Sequence, residues 1–193
     1  LFPLTGTATV AEAAGAYGDP LIFLFFGGFI LALALERWGL HRRVALTVLH
    51  SVGSRPAHIV GAFMGITAFT SLWVTNTATT LMMLPVAQSV ADTLVGEGAP
   101  GTDRRQAADF SAALMLGVAY AASIGGMGTM IGTAPNVFVA SFINGRLGAD
   151  VSFLEWMLLT LPLVMLLLVA AWWLLTRVVF RLRGGNVAGV AFR

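Results

Sequence analysis

The 193-residue sequence contains no cysteine and no lysine. Without cysteine, a disulfide framework and a thiolate-held metal are both excluded. Charge of either sign is scarce: eleven arginines and nine acids make up 10% of the chain, against ~25% in an average soluble domain. Residues 56–91 and 110–145 contain no Asp, Glu, Lys or Arg at all. The remainder is apolar: 58% of the residues are hydrophobic, gathered in runs of roughly twenty, the length that crosses a bilayer. A chain this greasy cannot cover its own surface with polar atoms in water. The composition therefore excludes a soluble enzyme, a nucleic-acid binder and a disordered tail. The net charge of +2 reports orientation in a lipid bilayer, not an anionic partner in solution. The chain starts at Leu1 inside an apolar stretch, shows no signal peptide, and reads as an interior piece of a longer protein.

Five segments follow from hydropathy and periodicity. Residues 20–38 read as a spanning helix, with Pro20 before it and Trp38 as an interfacial anchor. Residues 40–53 place Val44, Ala45, Val48, Leu49 and Val52 on one face and Arg42, Arg43, His50 and Ser51 away from it, the pattern of an amphipathic helix lying in the interface. Residues 56–95 form an apolar block with a polar centre, Thr75-Asn76-Thr77-Ala78-Thr79-Thr80. As one straight helix this block would measure ~60 Å, twice the hydrocarbon thickness, so the chain must turn back, and the polar centre is the expected turn. Residues 107–145 pose the same problem at ~58 Å. Four glycines and one proline fall between Gly125 and Asn136 and break helices strongly. Two half-helices, about 107–124 and 136–145, are expected around an unwound stretch. Residues 154–180 form a last span with Trp156 near one end and Trp172 and Trp173 near the other, as an aromatic belt.

Arginine placement tests this topology. If 56–95 returns to its starting side while the other segments each cross once, every arginine except Arg146 lies on one side. That bias marks the side as cytoplasmic. A single crossing by 56–95 would nearly erase it.

Interrupted backbone inside a bilayer is costly unless it is buried or lines a cavity. One interruption alone reads best as a packing kink; two in one short chain point to a binding site of the kind that transporters build from discontinuous helices. The absence of charge narrows its chemistry. Proton coupling needs an intramembrane acid or imidazole, and His58 is the one ionisable side chain of this kind in either charge-free stretch, near its cytoplasmic end. A cation at the breaks must be held by hydroxyls, the Asn76 amide and backbone carbonyls, a ligand set that suits a hard ion such as Na⁺, by analogy with other hard cations. The ion's charge, together with the positive ends of half-helices, would then attract an anion. The three histidines and the methionines read as interfacial and packing side chains.

The run from Ser71 through Thr75-Asn76-Thr77 to Pro85 resembles the first Ser-Asn-Thr signature of the divalent anion/sodium symporter family. The run from Ala119 through Gly125-Gly126-Met127-Gly128 to Asn136 resembles that family's broken fifth helix. Phe23–Ala32 and Glu36–Arg43 match the preceding helix and interfacial segment. The resemblance covers nearly the whole chain, with Thr75 standing where the family usually has serine and with one repeat present in place of two. It implies a multi-pass plasma-membrane carrier of sodium together with a small dianion, a di- or tricarboxylate or sulfate. It also implies inverted repeats with re-entrant hairpins, a homodimer and an elevator motion. Carried over residue by residue, Ser71, Thr75 and Asn76 with backbone oxygens at Gly125, Gly126 and Gly128 would bind sodium. Asn76, Thr77 and Thr133 would touch the substrate.

The expected fold is an all-α membrane protein with a re-entrant helical hairpin and a broken helix, one half of an inverted-repeat transporter, performing no covalent chemistry. Two other functions stay open: an anion exchanger or oxyanion carrier without sodium coupling, and a channel or structural half of an assembly with no transport of its own.

Overall fold

The computed structural model describes residues 3, 5–7, 9–15, 18, 20–39, 55–96, 104–148 and 151–182. These are helical, with no strand among the described residues. A short α1 (Val10–Gly15) precedes α2 (Pro20–Arg37), α3 (Pro56–Ser71), α4 (Asn76–Gly96), α5 (Arg104–Gly126), α6 (Ala134–Leu147) and α7 (Phe153–Trp173), and a π-helical stretch, Leu174–Val179, ends the described chain's helices. The expected interfacial helix at 40–53 and the stretch after Arg183 lie outside the described residues. Two helices among those described, Arg105–Gly126 and Phe153–Val179, are long and apolar enough to cross a membrane.

The central element is α5. Its buried residues Phe110, Ala113, Leu114, Val118 and Ala121 recur at the three- and four-residue spacing of one helix face. Against that face pack Ile59, Val60, Phe63 and Met64 of α3 and Met83, Ala87, Val90 and Ala91 of α4. Between helices in lipid no hydrophobic force acts, so close approach and van der Waals packing must hold them. Glycine supplies the approach. A Cβ on Gly117 would meet Met64 Cγ at 3.1 Å, and one on Gly125 would overlap the backbone of Ala68.

These contacts fix direction. Gly117 sits level with Val60 and Met64, and Gly125 level with Ala68, so α3 and α5 run parallel. From its start beside Gly126, α4 packs back along α5. The two arms form a helical hairpin whose tip meets the C-terminal end of α5. On the far side, α7 runs opposite to α3. Its Thr160 Oγ1 donates to the Gly128 carbonyl at 3.1 Å, and its Trp172 Nε1 donates to the Ala57 carbonyl at 2.8 Å. Trp172 also covers Gly61. The outer residues of α7, among them Leu158, Leu159, Leu163 and Leu166, are exposed, a surface suited to lipid. From α2, Gly28 is buried against Ile131.

Two boundaries differ from the sequence reading. The hairpin turns at residues 72–75, overlapping the polar centre only at Thr75, and Asn76 begins the second arm. The polar residues continue the helix because their hydroxyls bond within it: Thr80 Oγ1 donates to the Asn76 carbonyl at 2.8 Å. The broken helix keeps longer halves than expected, to Gly126 and from Ala134. Pro135 lies in the first turn of α6, where its missing N–H leaves no donor unsatisfied.

Candidate functional site

Four helix ends meet at one place. The C-terminal ends of α3 and α5 are joined by Ser71 Oγ, which donates to the Ala122 carbonyl at 2.7 Å. The same hydroxyl lies 3.0 Å from Asn76 Oδ1 at the start of α4. Asn136, in the first turn of α6, donates from Nδ2 to the Gly126 carbonyl at 2.7 Å. Helix C-termini present unpaired carbonyls, and N-termini present unpaired N–H groups with a partial positive charge. One junction therefore offers oxygen ligands to a cation and N–H donors to an anion, the combination that discontinuous membrane helices bring to a shared site.

Glycine makes the junction sterically possible. A Cβ on Gly126 would overlap Asn76 Oδ1, and one on Gly132 would overlap the Gly126 carbonyl and lie 2.9 Å from that of Ser71. Neutral oxygens from Ser71, Asn76, Ala122 and Gly126 thus crowd together in a region without charged side chains. Ser71 is fully buried. Among the described residues no group of three or more His, Cys, Asp or Glu could hold a metal, so any ion here would rest on neutral oxygen.

The unwound stretch between Gly126 and Ala134 is held partly by its own N–H groups and partly by donors from other helices. The Gly125 carbonyl accepts from the Gly128 N–H at 2.9 Å, and those of Gly126 and Thr129 both accept from Asn136. The Met127 carbonyl accepts from Trp156 Nε1 at 3.2 Å, and that of Gly128 from Thr160. Thr129 Oγ1 in turn donates to the Leu72 carbonyl in the hairpin turn. This is how bare backbone is tolerated at membrane depth.

Of the residues singled out in the sequence, the structure gathers Ser71, Asn76, Gly125 and Gly126. Thr75 is half-buried in the turn, and its carbonyl accepts the Thr79 N–H at 2.9 Å. Thr77 is exposed beside the tip. Thr133 is half-buried and precedes α6 in extended conformation. The Gly128 carbonyl is turned to Thr160 of α7, and a Cβ there would overlap Leu72. Sequence reasoning gave no role to Asn136, Thr129 and Thr160, and it gave Trp156 and Trp172 to the interface. Lone polar groups in apolar helices were the available signal; their partners, 29 to 115 residues away for Thr129, Trp156, Thr160 and Trp172, were not. A shallow hollow of about 280 Å³ lies elsewhere, lined by Phe138, Ser141, Phe142, Gly145 and Arg146 of α6 alone. Its residues all come from one helix, so it is a surface groove and not this site.

Comparison with known proteins points to a family of transporters. Residues 1–185 match the citrate transporter family. The sodium-dependent dicarboxylate transporter SdcS of Staphylococcus aureus, in strains USA300, COL and N315, is 38% identical over 181 residues. The match takes in 94% of this chain and 35% of the relative, so the chain spans about a third of the length of the curated relatives it matches. The family match over residues 1–185 and the identity to SdcS place the chain in the citrate transporter family and among the divalent anion/sodium symporters, as an N-terminal part.

Proposed function

We propose that this chain forms one side of the ligand pocket of a sodium-coupled secondary transporter for a small dianion, a di- or tricarboxylate or sulfate. One observation carries the reading: four helix ends meet at Ser71, Asn76 and Gly126 inside a stretch without charge. The SdcS name supports both the sodium and the dicarboxylate. The Ser71 hydroxyl, the Asn76 amide oxygen and the Gly126 carbonyl hold Na⁺, with Thr75, Gly125 and Gly128 shaping the tip around it. The ion leaves the site with a net positive charge. Asn76, Thr77 and Thr133, beside the N-terminal ends of α4 and α6, then receive a substrate carboxylate.

In the bilayer the α3–α4 hairpin is re-entrant. It begins and ends on the cytoplasmic, arginine-rich side, where Arg55 and Arg105 lie at the starts of α3 and α5 and Arg177 lies in the π-helical stretch after α7. A second, inverted repeat completes the pocket, two copies of the whole carrier pair as a homodimer, and the hairpin, α5 and α7 move together as an elevator.

The test is uptake of labelled succinate, citrate and sulfate into proteoliposomes holding the complete carrier, in sodium and in choline. The expected outcome is saturable uptake in sodium that collapses in Asn76→Ala. Equal uptake in choline overturns sodium coupling; no saturable uptake of any of the three anions overturns the transport reading.

A second reading, an anion carrier working without sodium, draws on the donors already found for every carbonyl from Gly125 to Thr129. Each carbonyl keeps a second lone pair, and the sodium-against-choline comparison decides between the two.

A further inference from the structure

Asn136 lies inside the glycine-rich motif but has no part in the ligand set above. It is 8% exposed, in the first turn of α6. Its single amide nitrogen donates both hydrogens to unwound backbone, to the Gly126 carbonyl at 2.7 Å and to the Thr129 carbonyl at 2.7 Å. Both of those residues grip the hairpin. Gly126 lies against Asn76 Oδ1, and Thr129 donates its hydroxyl to the Leu72 carbonyl. Asn136 therefore holds, from behind, the two points where the break meets the hairpin tip.

We infer that Asn136 is a positioning residue for the cation site: it fixes the direction of the Gly126 carbonyl and the span from Gly126 to Thr129, and so sets sodium affinity without touching the anion. This rests on the sodium reading above. A carbonyl that accepts one bond from Asn136 has its remaining lone pair aimed in a fixed direction. Without that bond the peptide unit can rotate, and the oxygen is lost to the ion. The anion-facing groups are held by other bonds: in the first turn of α4 by Thr79 N–H to the Thr75 carbonyl and Thr80 Oγ1 to the Asn76 carbonyl, and at Thr133 by its carbonyl accepting the backbone N–H of residue 136, which any side chain there leaves in place.

The experiment compares the complete wild-type carrier with Asn136→Ala and Asn136→Ser, the latter keeping one hydroxyl donor. Two readouts are taken: the half-saturating sodium concentration for labelled succinate uptake, and the sodium-induced rise in melting temperature of the purified carrier, which needs no anion. For Asn136→Ala the half-saturating sodium concentration should rise roughly tenfold, the size expected for losing two hydrogen bonds. Asn136→Ser should fall between it and the wild type. The KM for succinate at saturating sodium should stay within about twofold, since each tenfold change would need a lost interaction of its own. The sodium-induced melting shift should shrink in the same order. Unchanged sodium dependence in both variants overturns the assignment, and so does a parallel shift of sodium and succinate constants, the mark of a merely structural role. If Asn136→Ala does not reach the membrane, Asn136→Ser decides alone. A wild-type carrier that neither needs sodium nor is stabilised by it overturns the sodium reading instead, a failure visible before any variant is compared.

Discussion

The two interruptions in this chain are built in opposite ways. The hairpin turn at residues 72–75 is four residues long and largely closes on itself, through Leu72 N–H to the Ala68 carbonyl at 3.2 Å and Val74 N–H to the Thr70 carbonyl at 3.1 Å. The break between Gly126 and Ala134 holds itself in part only, and its carbonyls depend on Asn136, Trp156 and Thr160 from two other helices. A turn that supports itself leaves its side chains available for a ligand. A break supported from outside couples whatever happens there to the packing of the whole bundle. Changes at the turn should therefore alter binding more than folding, and changes where α7 fastens the break, at Trp156 and Thr160, should do the reverse.

The largest effect is expected for Gly125→Ala. The new methyl would overlap the Ala68 backbone, which cannot swing aside as a side chain does, so α3 and α5 must separate. A destabilisation of ~3 kcal/mol or failure to insert is expected, read from the melting temperature and the membrane-inserted yield. Ser71→Ala sharpens the contrast from the turn. It removes the hydroxyl shared by Asn76 and Ala122 at a stability cost of ~1 kcal/mol, while sodium-dependent uptake should need roughly tenfold more sodium. A Ser71→Ala carrier that melts far below the wild type yet keeps its sodium dependence would break the comparison. Thr160→Val at the break should cost ~1 kcal/mol by stripping the Gly128 carbonyl of its donor, with sodium dependence unmoved; a sodium shift as large as that of Ser71→Ala would show that the fastening to α7 governs binding as well. Gly65→Ala is the smallest. Nothing lies within 4 Å of the added methyl, so the helix propensity gain of ~0.5–1 kcal/mol should appear as a slightly higher melting temperature.

How much of this was legible beforehand depends on the range of each interaction. The all-helical, membrane-suited character follows from charge-free runs and their lengths. The unwound stretch is legible because four glycines and a proline within twelve residues leave the backbone no helical alternative. The turn lies a few residues earlier than polarity indicates. Polarity draws the eye to Thr75–Thr80, but in lipid a threonine hydroxyl bonds to its own helix, as Thr80 does to Asn76, and does not end it. The capping box that starts α7, Ser152 with Glu155, sits in the sequence as Ser-x-x-Glu and could have been read. The donors that support the break could not. Periodicity gives the face a residue occupies, never the neighbour across from it, and nothing local pairs Thr160 with Gly128 or Trp172 with Ala57. The indoles of Trp156 and Trp172 each spend their N–H on a carbonyl, while Trp173 is 55% exposed; an aromatic belt reading weighs all three alike.

The double attachment of α7 sets a rule for the gene as well as for the fold. Thr160 and Trp172 are fastened to separate partners and stand twelve positions apart, ~18 Å along the axis. Adding or deleting one residue between them would swing one fastening about the axis by roughly 100° relative to the other, so both could not be kept. The outward residues between them, Leu163, Met165, Leu166 and Val169, are free to drift among apolar types, but the length of the stretch is locked.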